Sequence, residues 1–211
     1  MTTTSLLIAC NEVLLNVGEL EVSDFTTPVG KKARLAYSSA IRAVSSLHAW
    51  QHLQATVSAL SWNVEGDTAT LTPIQELYSV SLGTDVLRSV GFDELYERDI
   101  RIAATATPLY YSRAEQNSVL LYPTPSVADR PNIKFRVLLQ PTVPSLPTDN
   151  FTLPDDFYDL VHIYAQMLMH RNHTTDLQAA QACQSEFELR THMVRTRQTS
   201  QVVGNMGGYP T

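Results

Sequence analysis

The chain has 211 residues, of which 44% are hydrophobic and 17% are charged, and its formal net charge is −6 at pH 7. A chain of this length buries roughly 70% of its unfolded surface, so it needs no disulfide or metal ion to fold. The acidic balance excludes tight binding to nucleic acid through phosphate neutralisation, which requires a basic face.

The cysteines and the N-terminal residues indicate a protein that is not secreted. Cys10 and Cys183 lie far apart in apolar helical patterns, as buried thiols of a reducing compartment do, although a disulfide between them stays possible. The opening MTTTSLLIACNEVLLNVGE has no basic region, and Asn11 and Glu12 interrupt its apolar run. We therefore expect neither a signal peptide nor a membrane span.

Two helices are predicted before the chain changes character. In residues 5–17 apolar side chains recur at helical spacing, with Thr3 or Thr4 as the expected cap. Gly18 follows where a left-handed residue commonly ends a helix. The pair Thr27–Pro28 places an N-cap before a proline at the first helical position, and predicts a second helix that runs to about Trp50.

Residues 51–147 have the alternating pattern of strands. The turn residues 65–67 and 112–117 each separate two strand-like segments, so each predicts a hairpin. In residues 133–139 apolar side chains alternate with Lys, Arg and Leu, which is typical of a half-buried strand. Residues 83–98 interrupt the strands with a short acidic segment that we expect to be helical.

Two further helices are predicted after this region. Pro154 opens the third, with Asp155–Asp156 in the first turn, where carboxylates complement the helix dipole. Its predicted buried stripe is Phe157, Leu160, Val161, Tyr164, Ala165, Leu168 and Met169. Thr174–Thr175 is expected to cap the fourth helix, which we expect to end in the basic residues 195–197. The glycine-rich residues 201–211 are predicted to be a flexible tail.

These elements predict an α+β protein, an antiparallel bundle of about four helices with a β-rich domain inserted between the second and third helices. The predicted bundle consists of residues 1–54 and 151–200. The predicted inserted domain is 55–150, with the helical excursion near 83–98, and the flexible tail is 201–211.

Histidines are the first candidates for chemistry. His162, His170 and His173 lie on or just after the third helix and could serve a metal-assisted hydrolase, but no HExxH motif or cysteine pair completes a metal site. His48 and His52, near the end of the second helix, also have no HExxH motif or cysteine pair to complete a metal site. A solvated helix end or an intersubunit hydrogen bond is the more common role for such residues.

Other candidate residues also favour structural roles. Lys31 and Lys32 follow a glycine, but the spacing of a phosphate-binding loop is absent, which favours a solvated helix start. Trp62 and Tyr111 could stack sugars in a binding module, although core packing is more common for aromatic residues beside strands. We therefore expect no catalytic residue, no cofactor and no metal, and a structural subunit instead of an enzyme.

Two segments resemble the tail tubular protein A family, the head-to-tail adaptors of short-tailed bacteriophages. The segment ACNEVLLNVGELEVS, residues 9–23, is similar to the family's opening helix. The residues that carry this resemblance are Ala9, Asn11, Glu12, Leu15, Gly18 and Glu19. The family continues with a loop and a long helix that ends near a tryptophan, here Trp50. Residues 121–171 are similar to the family's succession of strand, proline turn, strand and helix.

The resemblance implies a virion protein, assembled in the host cytoplasm, that forms a ring of twelve copies between the portal protein and the tail nozzle protein. DNA would pass through this ring during ejection without specific binding, and no membrane would be involved. The apolar residues of the tail are predicted to dock on the portal and to become ordered there: Val202, Val203, Met206 and Tyr209. A head-completion or stopper ring of a phage is the main alternative.

Overall fold

The computed structural model describes residues 1–47, 49–97 and 105–206, and for residues 96, 97 and 198–206 it describes the backbone alone. This part of the chain mixes helices and sheets, so the predicted α+β class is confirmed. The chain divides into two compact units, Met1–His48 with Pro141–Thr211, and Ala49–Gln140. We name the first the helical unit and the second the β unit.

The described helices, in chain order, are α1 (Leu6–Asn16), α2 (Pro28–Ser46), α3 (Phe92–Glu97), α4 (Asp155–Met169) and α5 (Leu177–Met206). The described strands are β1 (Thr2–Ser5), β2 (Gln54–Val57), β3 (Ser61–Trp62), β4 (Thr68–Thr70), β5 (Ile74–Leu82), β6 (Asp85–Val86), β7 (Arg88–Ser89), β8 (Tyr110–Glu115), β9 (Ser118–Tyr122), β10 (Ile133–Leu139) and β11 (Asn150–Leu153). One turn of π-helix, His170–Thr174, follows α4.

Local hydrogen bonds fix both ends of α1. Ser5 caps its start, because the N–H of Ile8 donates to the Ser5 hydroxyl oxygen at 3.3 Å. The threonines expected in this role lie in β1 instead, which pairs antiparallel with β11. Gly18 ends the helix as predicted: its φ is +80°, and the N–H of the next residue donates to the carbonyl of Leu14 at 2.9 Å.

The start of α2 is confirmed and its predicted end is wrong. The hydroxyl of Thr27 accepts the N–H of Gly30 at 3.1 Å, and a proline follows Thr27 at the first helical position. At the other end the Ser46 hydroxyl donates to the carbonyl of Ala43 at 2.8 Å, which gives a carbonyl of the last turn a side-chain partner. The helix ends at Ser46, before Trp50, which is buried and belongs to the β unit.

The start of α4 agrees with the prediction, whereas its buried stripe is narrower. Pro154 is the N-cap, and Asp155 and Asp156 lie in the first turn. The buried residues of α4 are Phe157, Leu160, Val161, Ile163, Ala165 and Met169. Tyr164 and Leu168, predicted to be part of the stripe, are only partly buried and line surface grooves.

The boundaries of α5 differ from the prediction at both ends. The side chain of Asp176 caps its start by accepting the N–H of Ala179 at 3.0 Å. The expected cap, Thr175, has a φ of +55° and separates the π-helical turn from α5. The helix passes the basic residues 195–197 and continues to Met206, so its backbone enters the segment that was predicted to be a flexible tail.

α4 is the central helix of the helical unit, since it packs against α1, α2 and α5. The largest fully buried side chains of this unit are Leu6, Leu14, Tyr37, Ile41, Phe157 and Leu160. They come from α1, α2 and α4, so these three helices form the centre of its core. α5 adds a stripe at wider spacing that consists of Ala180, Phe187 and Val194.

The β unit contains two sheets among the described residues. Their strand orders are β2-β10-β5-β6 and β3-β4-β9-β8-β7. Both predicted hairpins are confirmed, because β3 pairs antiparallel with β4 and β8 with β9. The second turn is shorter than the predicted 112–117, since residues 112–115 belong to β8. β10 buries Ile133, Phe135 and Val137 on one face, as its alternation predicted. These residues join one apolar cluster with Ala69, Leu71, Ile74, Val80, Leu87, Tyr111, Val119 and Leu121.

The acidic segment that begins at Gly83 contributes to both sheets before it becomes helical. β6 pairs with β5, and β7 pairs in parallel with β8. Among the residues of this segment that the structure describes, 92–97 alone form a helix, α3. The apolar side chains that hold the segment in place are Leu87 and Leu95, which are 6% and 0% exposed. The many acidic residues of this segment made the burial of Leu87 and Leu95 hard to predict from the sequence.

Candidate interaction surfaces of the helical unit

Polar side chains of α1 and α4 form a cluster where these helices meet. The Tyr158 hydroxyl donates a hydrogen bond to the Glu12 carboxylate, and the His162 ring stacks on the Tyr158 ring with centroids 5.7 Å apart. The Asn16 amide nitrogen lies 3.4 Å from Nε2 of His162, whose Nδ1 lies 4.0 Å from Glu12. Each helix contributes two residues one turn apart, so the cluster joins one turn of α1 to one turn of α4.

Burial keeps the two aromatic groups of this cluster uncharged. It lowers the pKa of His162, and the nearby carboxylates of Glu12 and Asp159 oppose this shift without reversing it. Burial also raises the pKa of Tyr158, and the hydrogen bond to Glu12 adds to the rise. A neutral imidazole and a neutral phenol suit a fixed contact between helices.

Tyr37 of α2 packs against the same cluster. Its side chain is fully buried, and its ring centroid lies 6.4 Å from that of His162 and 5.9 Å from that of Phe151. Among the described residues its hydroxyl has no hydrogen-bond partner, which is costly for a buried polar group. The aromatic contacts of Tyr37 therefore tie α2 to the contact between α1 and α4.

His173 connects three segments at one end of the helical unit. Its Nε2 lies 3.1 Å from Oε1 of Glu19, which follows α1, and its Nδ1 lies 3.2 Å from Nζ of Lys32 on α2. The contact with Glu19 is close but not aligned as a hydrogen bond. The π-helical turn after α4 is thus held to the loop after α1 and to the first turns of α2.

A mostly apolar groove runs between α2 and α4, with a volume of about 390 Å³. Its lining residues are Lys32, Leu35, Ala36, Ser39, Ala43, Tyr164, Leu168, Met169, Asn172 and His173. Leu35 is 60% exposed at its edge. An apolar floor with a few polar groups at the rim is the composition of a protein-binding surface.

A second groove, of about 430 Å³, lies between α4 and α5. It is lined by Tyr164, Met167, Arg171, Leu177, Ala180, Gln181, Gln184, Phe187 and Glu188. Tyr164 borders both grooves, and its ring centroid lies 5.0 Å from that of Phe187. α4 therefore carries apolar grooves on two sides, towards α2 and towards α5.

The three histidines proposed for a metal site have separate partners. His162 lies against α1, His173 lies between Glu19 and Lys32, and Nδ1 of His170 lies 3.3 Å from the Thr174 hydroxyl. Within the described ranges no three His, Cys, Asp or Glu side chains are grouped so that they could hold a metal ion. His48 falls outside the described residues.

The other candidates from the sequence have structural surroundings. Trp62 lies under the guanidinium of Arg130, 5.4 Å from its carbon, and Tyr111 is buried, so the two do not form an exposed stacking platform. Cys10 and Cys183 are free thiols. Burial raises the pKa of the Cys10 thiol to about 12, which makes it unreactive. None of the described helices is long and apolar enough to cross a membrane.

The predicted portal-docking residues are described only in part. Val202, Val203 and Met206 lie on the last turns of α5, where the structure gives the backbone alone. Tyr209 lies outside the described residues. Their role in docking stays a prediction.

Sequence reasoning missed the polar cluster between α1 and α4. The available signal is that Glu12 and Asn16 stand one turn apart on a mostly apolar helix, and that Tyr158 and His162 have the same spacing on α4. Spacing shows that two residues share a helix face, but it does not show which helices meet.

Comparison with known proteins gives one match. The family model described as SU10 adaptor protein matches residues 1–206, which include both units. A search of curated proteins finds no match.

Proposed function

The chain belongs to the SU10 adaptor protein family, and on this premise we propose that it forms a ring of twelve copies between the portal protein and the tail nozzle. The family supports a structural, non-enzymatic role as a bacteriophage head–tail adaptor. The ring, its copy number, the two named partners and the passage of DNA are our proposal. So is the narrower assignment to tail tubular protein A, which rests on the motif in residues 9–23.

The match over residues 1–206 is the observation that carries this proposal. The helical unit supports it, because the contacts of Glu12, Tyr158 and His162 and the bridge through His173 make a firmly connected body. A ring subunit needs such a body, and it also needs surface grooves for neighbouring copies, which α4 carries on two sides. The net charge of −6 suits a channel that must let DNA pass.

Within this proposal the bundle forms the rigid part of the ring, with the inserted β-rich domain directed towards the tail. Residues 201–211, which begin with the last turns of α5, contact the portal. Apolar anchors at a chain end suit such a contact, since a segment of this kind becomes ordered when a partner buries it.

Imaging of purified protein tests the proposal. We expect the free subunit to sediment as a monomer or weak oligomer at micromolar concentration, and to form a ring with a central hole when it is mixed with the portal protein. Failure to associate with the portal under conditions where portal rings are intact contradicts the adaptor role. Labelling of the subunit in virions separates the adaptor from a stopper ring, because the two occupy different levels below the portal.

A further inference from the structure

The outer face of α1 and the loop after it are apolar and acidic. Ile8 and Leu15 are 55% and 53% exposed, and their separation of seven residues places them about 10 Å apart on one side of the helix. Leu20 and Glu21 are exposed in the following loop, with Leu20 85% exposed. No basic residue precedes Lys31 in the chain. We name Ile8, Leu15, Leu20 and Glu21 the α1 face.

The outer face of α2 has the opposite charge. Lys31, Leu35 and Arg42 are exposed and share one side of the helix, and α2 contains no acidic residue. Leu35 also borders the groove between α2 and α4. We name Lys31, Leu35 and Arg42, together with the lining of that groove, the α2 face.

The two faces point in different directions from the helical unit. On α4 the contact with α1 is made by Tyr158 and His162, whereas the groove is lined by Tyr164 and Leu168. At 100° per residue these two pairs lie about 120° apart around α4. One copy can therefore offer its α1 face to one neighbour and its α2 face to another.

We propose that the α1 face of one copy docks on the α2 face of a second copy. The exposed Ile8, Leu15 and Leu20 cover Leu35 and enter the groove beside it, and Glu21 meets the cations of α2. Glu19 and Lys32 are already engaged with His173, so the pairing depends on Glu21 at one face and on Lys31 and Arg42 at the other. The charges set the orientation, and the apolar residues supply most of the attraction.

This contact is of the head-to-tail kind that closes rings, so the inference rests on the proposed function. It also goes further, because it names the residues on both sides of the subunit contact. Two copies that meet through different faces each keep one face free. The contact therefore propagates from copy to copy until the ring closes.

A charge-exchange experiment tests the contact. Leu15→Arg places a cation in the acidic α1 face, where it meets the basic α2 face, and Leu35→Glu places an anion in the α2 face. Each single variant should weaken the contact by at least about tenfold, as substitutions at the centre of an interface do. The double variant L15R/L35E should recover most of the loss, because the introduced cation of one copy meets the introduced anion of the next. Leu189→Arg, at an equally exposed leucine on α5, is the matched control.

The readout is zero-length cross-linking of carboxylates to amines in an equal mixture of copies labelled with light and heavy nitrogen. It is carried out in concentrated solution and on portal-bearing heads. Mixed-isotope cross-links should join Glu21 to Lys31, fall in both single variants, return in the double variant and persist in the control. Mixed cross-links elsewhere, or a double variant as weak as the singles, overturn the inference.

The outcomes also separate this inference from the proposed function. If copies attach to the portal but cross-link through other segments, the docking of the α1 face on the α2 face is wrong and the adaptor role stands. If wild-type copies neither attach to the portal nor cross-link to one another, both proposals fall.

Discussion

The helical unit and the β unit join distant segments with polar contacts of different kinds. In the helical unit polar contacts join segments that are distant in the chain, such as Glu12 with Tyr158 and Arg190 with Asp159. In the β unit the amide of Asn63 stays within its own hairpin, where its oxygen accepts the N–H of Gly66 at 2.8 Å and that of Thr68 at 3.1 Å. Distant segments of the β unit are joined by strand pairing, by the apolar cluster and by contacts to uncharged groups. The Lys134 amine donates to the Ser58 hydroxyl at 2.9 Å, and the Arg113 guanidinium donates to the carbonyl of Gln75 at 3.3 Å.

This difference indicates which changes each unit tolerates. The contacts that tie the helical unit together are partly exposed, so pH, salt and partners can act on them. The β unit depends on side chains that are out of reach of solvent, and only truncation of its core should weaken it strongly. Both tryptophans, Trp50 and Trp62, belong to the β unit, whereas the long helices belong to the helical unit. Tryptophan fluorescence and far-UV circular dichroism therefore report mainly on different units.

The largest effect is expected in the core of the β unit. Phe135 is 0% exposed within the apolar cluster. Phe135→Ala should lower the free energy of unfolding by about 3–5 kcal/mol, through lost burial and the cavity left behind. The midpoint of the fluorescence transition in urea measures this change, and Leu109→Ala, at an exposed leucine of the same unit, should leave it nearly unchanged. An equal shift of the circular dichroism transition would mean that the two units unfold together.

A core truncation in the helical unit should have a slightly smaller effect. Leu160 of α4 is 1% exposed. Leu160→Ala should cost about 2–5 kcal/mol, and the circular dichroism transition should shift more than the fluorescence transition. Leu189→Ala is the control, since Leu189 is 63% exposed on α5. An unchanged melting midpoint for Leu160→Ala would contradict the packing of α4 against the core.

The pH dependence of the helical unit should be smaller still and should depend on His162. Its folded-state pKa lies below that of an unfolded histidine, because burial disfavours the charged ring. The unfolded chain therefore binds the additional proton first, and stability is lost as the pH falls below about 6.5. His162→Gln should flatten the decline of the circular dichroism midpoint between neutral and mildly acidic pH.

Two comparisons sharpen this test. His192→Gln, at an exposed histidine of α5, removes a histidine without touching the cluster between α1 and α4 and should keep the slope. Burial lowers the pKa of His52 in the β unit as well, so the fluorescence transition should keep its own acid sensitivity in the His162 variant. An unchanged slope in His162→Gln would mean that protonation of this imidazole is not linked to the unfolding of the helical unit.

Local signals allowed most of the helix boundaries to be predicted. Gly18 and Thr27 act through hydrogen bonds to residues a few positions away, so their roles can be read from neighbouring letters. The end of α2 could not be placed in the same way, because Trp50 continued the apolar pattern and is buried, but belongs to the β unit. Periodicity shows that a side chain is buried and does not show by which segment.

The sequence pattern did not show which distant strands pair with each other. The segment 56–64 reads as one strand, yet it contributes to β2, which pairs with β10, and to β3, which pairs with β4 in another sheet. The sequence pattern also did not show which apolar residues of the helical unit lie at its surface, since Tyr164 and Leu168 fit a helical stripe as well as any core residue does. The way α4 packs against α2 and α5 leaves Tyr164 at both grooves and Leu168 at the groove beside α2.

Removal of the C-terminal residues should have the smallest effect on stability. It should also show the largest difference between an effect on stability and an effect on function. α5 extends to Met206, and Gly204 near its end favours fraying, because glycine loses more backbone entropy in a helix than other residues. Deleting residues 201–211 should therefore leave the melting temperature of the free subunit nearly unchanged. It should nevertheless strongly weaken attachment to DNA-filled heads, because it removes the apolar anchors Val202, Val203, Met206 and Tyr209.

Sedimentation of tailless heads mixed with the truncated subunit measures this attachment. A shorter deletion, of residues 207–211, removes Tyr209 and keeps the three anchors on α5, so the two deletions show whether the helix end or the residues after it bind the portal. A loss of thermal stability in the longer deletion would place residues 201–206 in the fold of the helical unit. Normal incorporation of both truncated proteins would rule out docking by the tail and leave helix faces outside the α1 face and the α2 face as the surfaces that meet the portal.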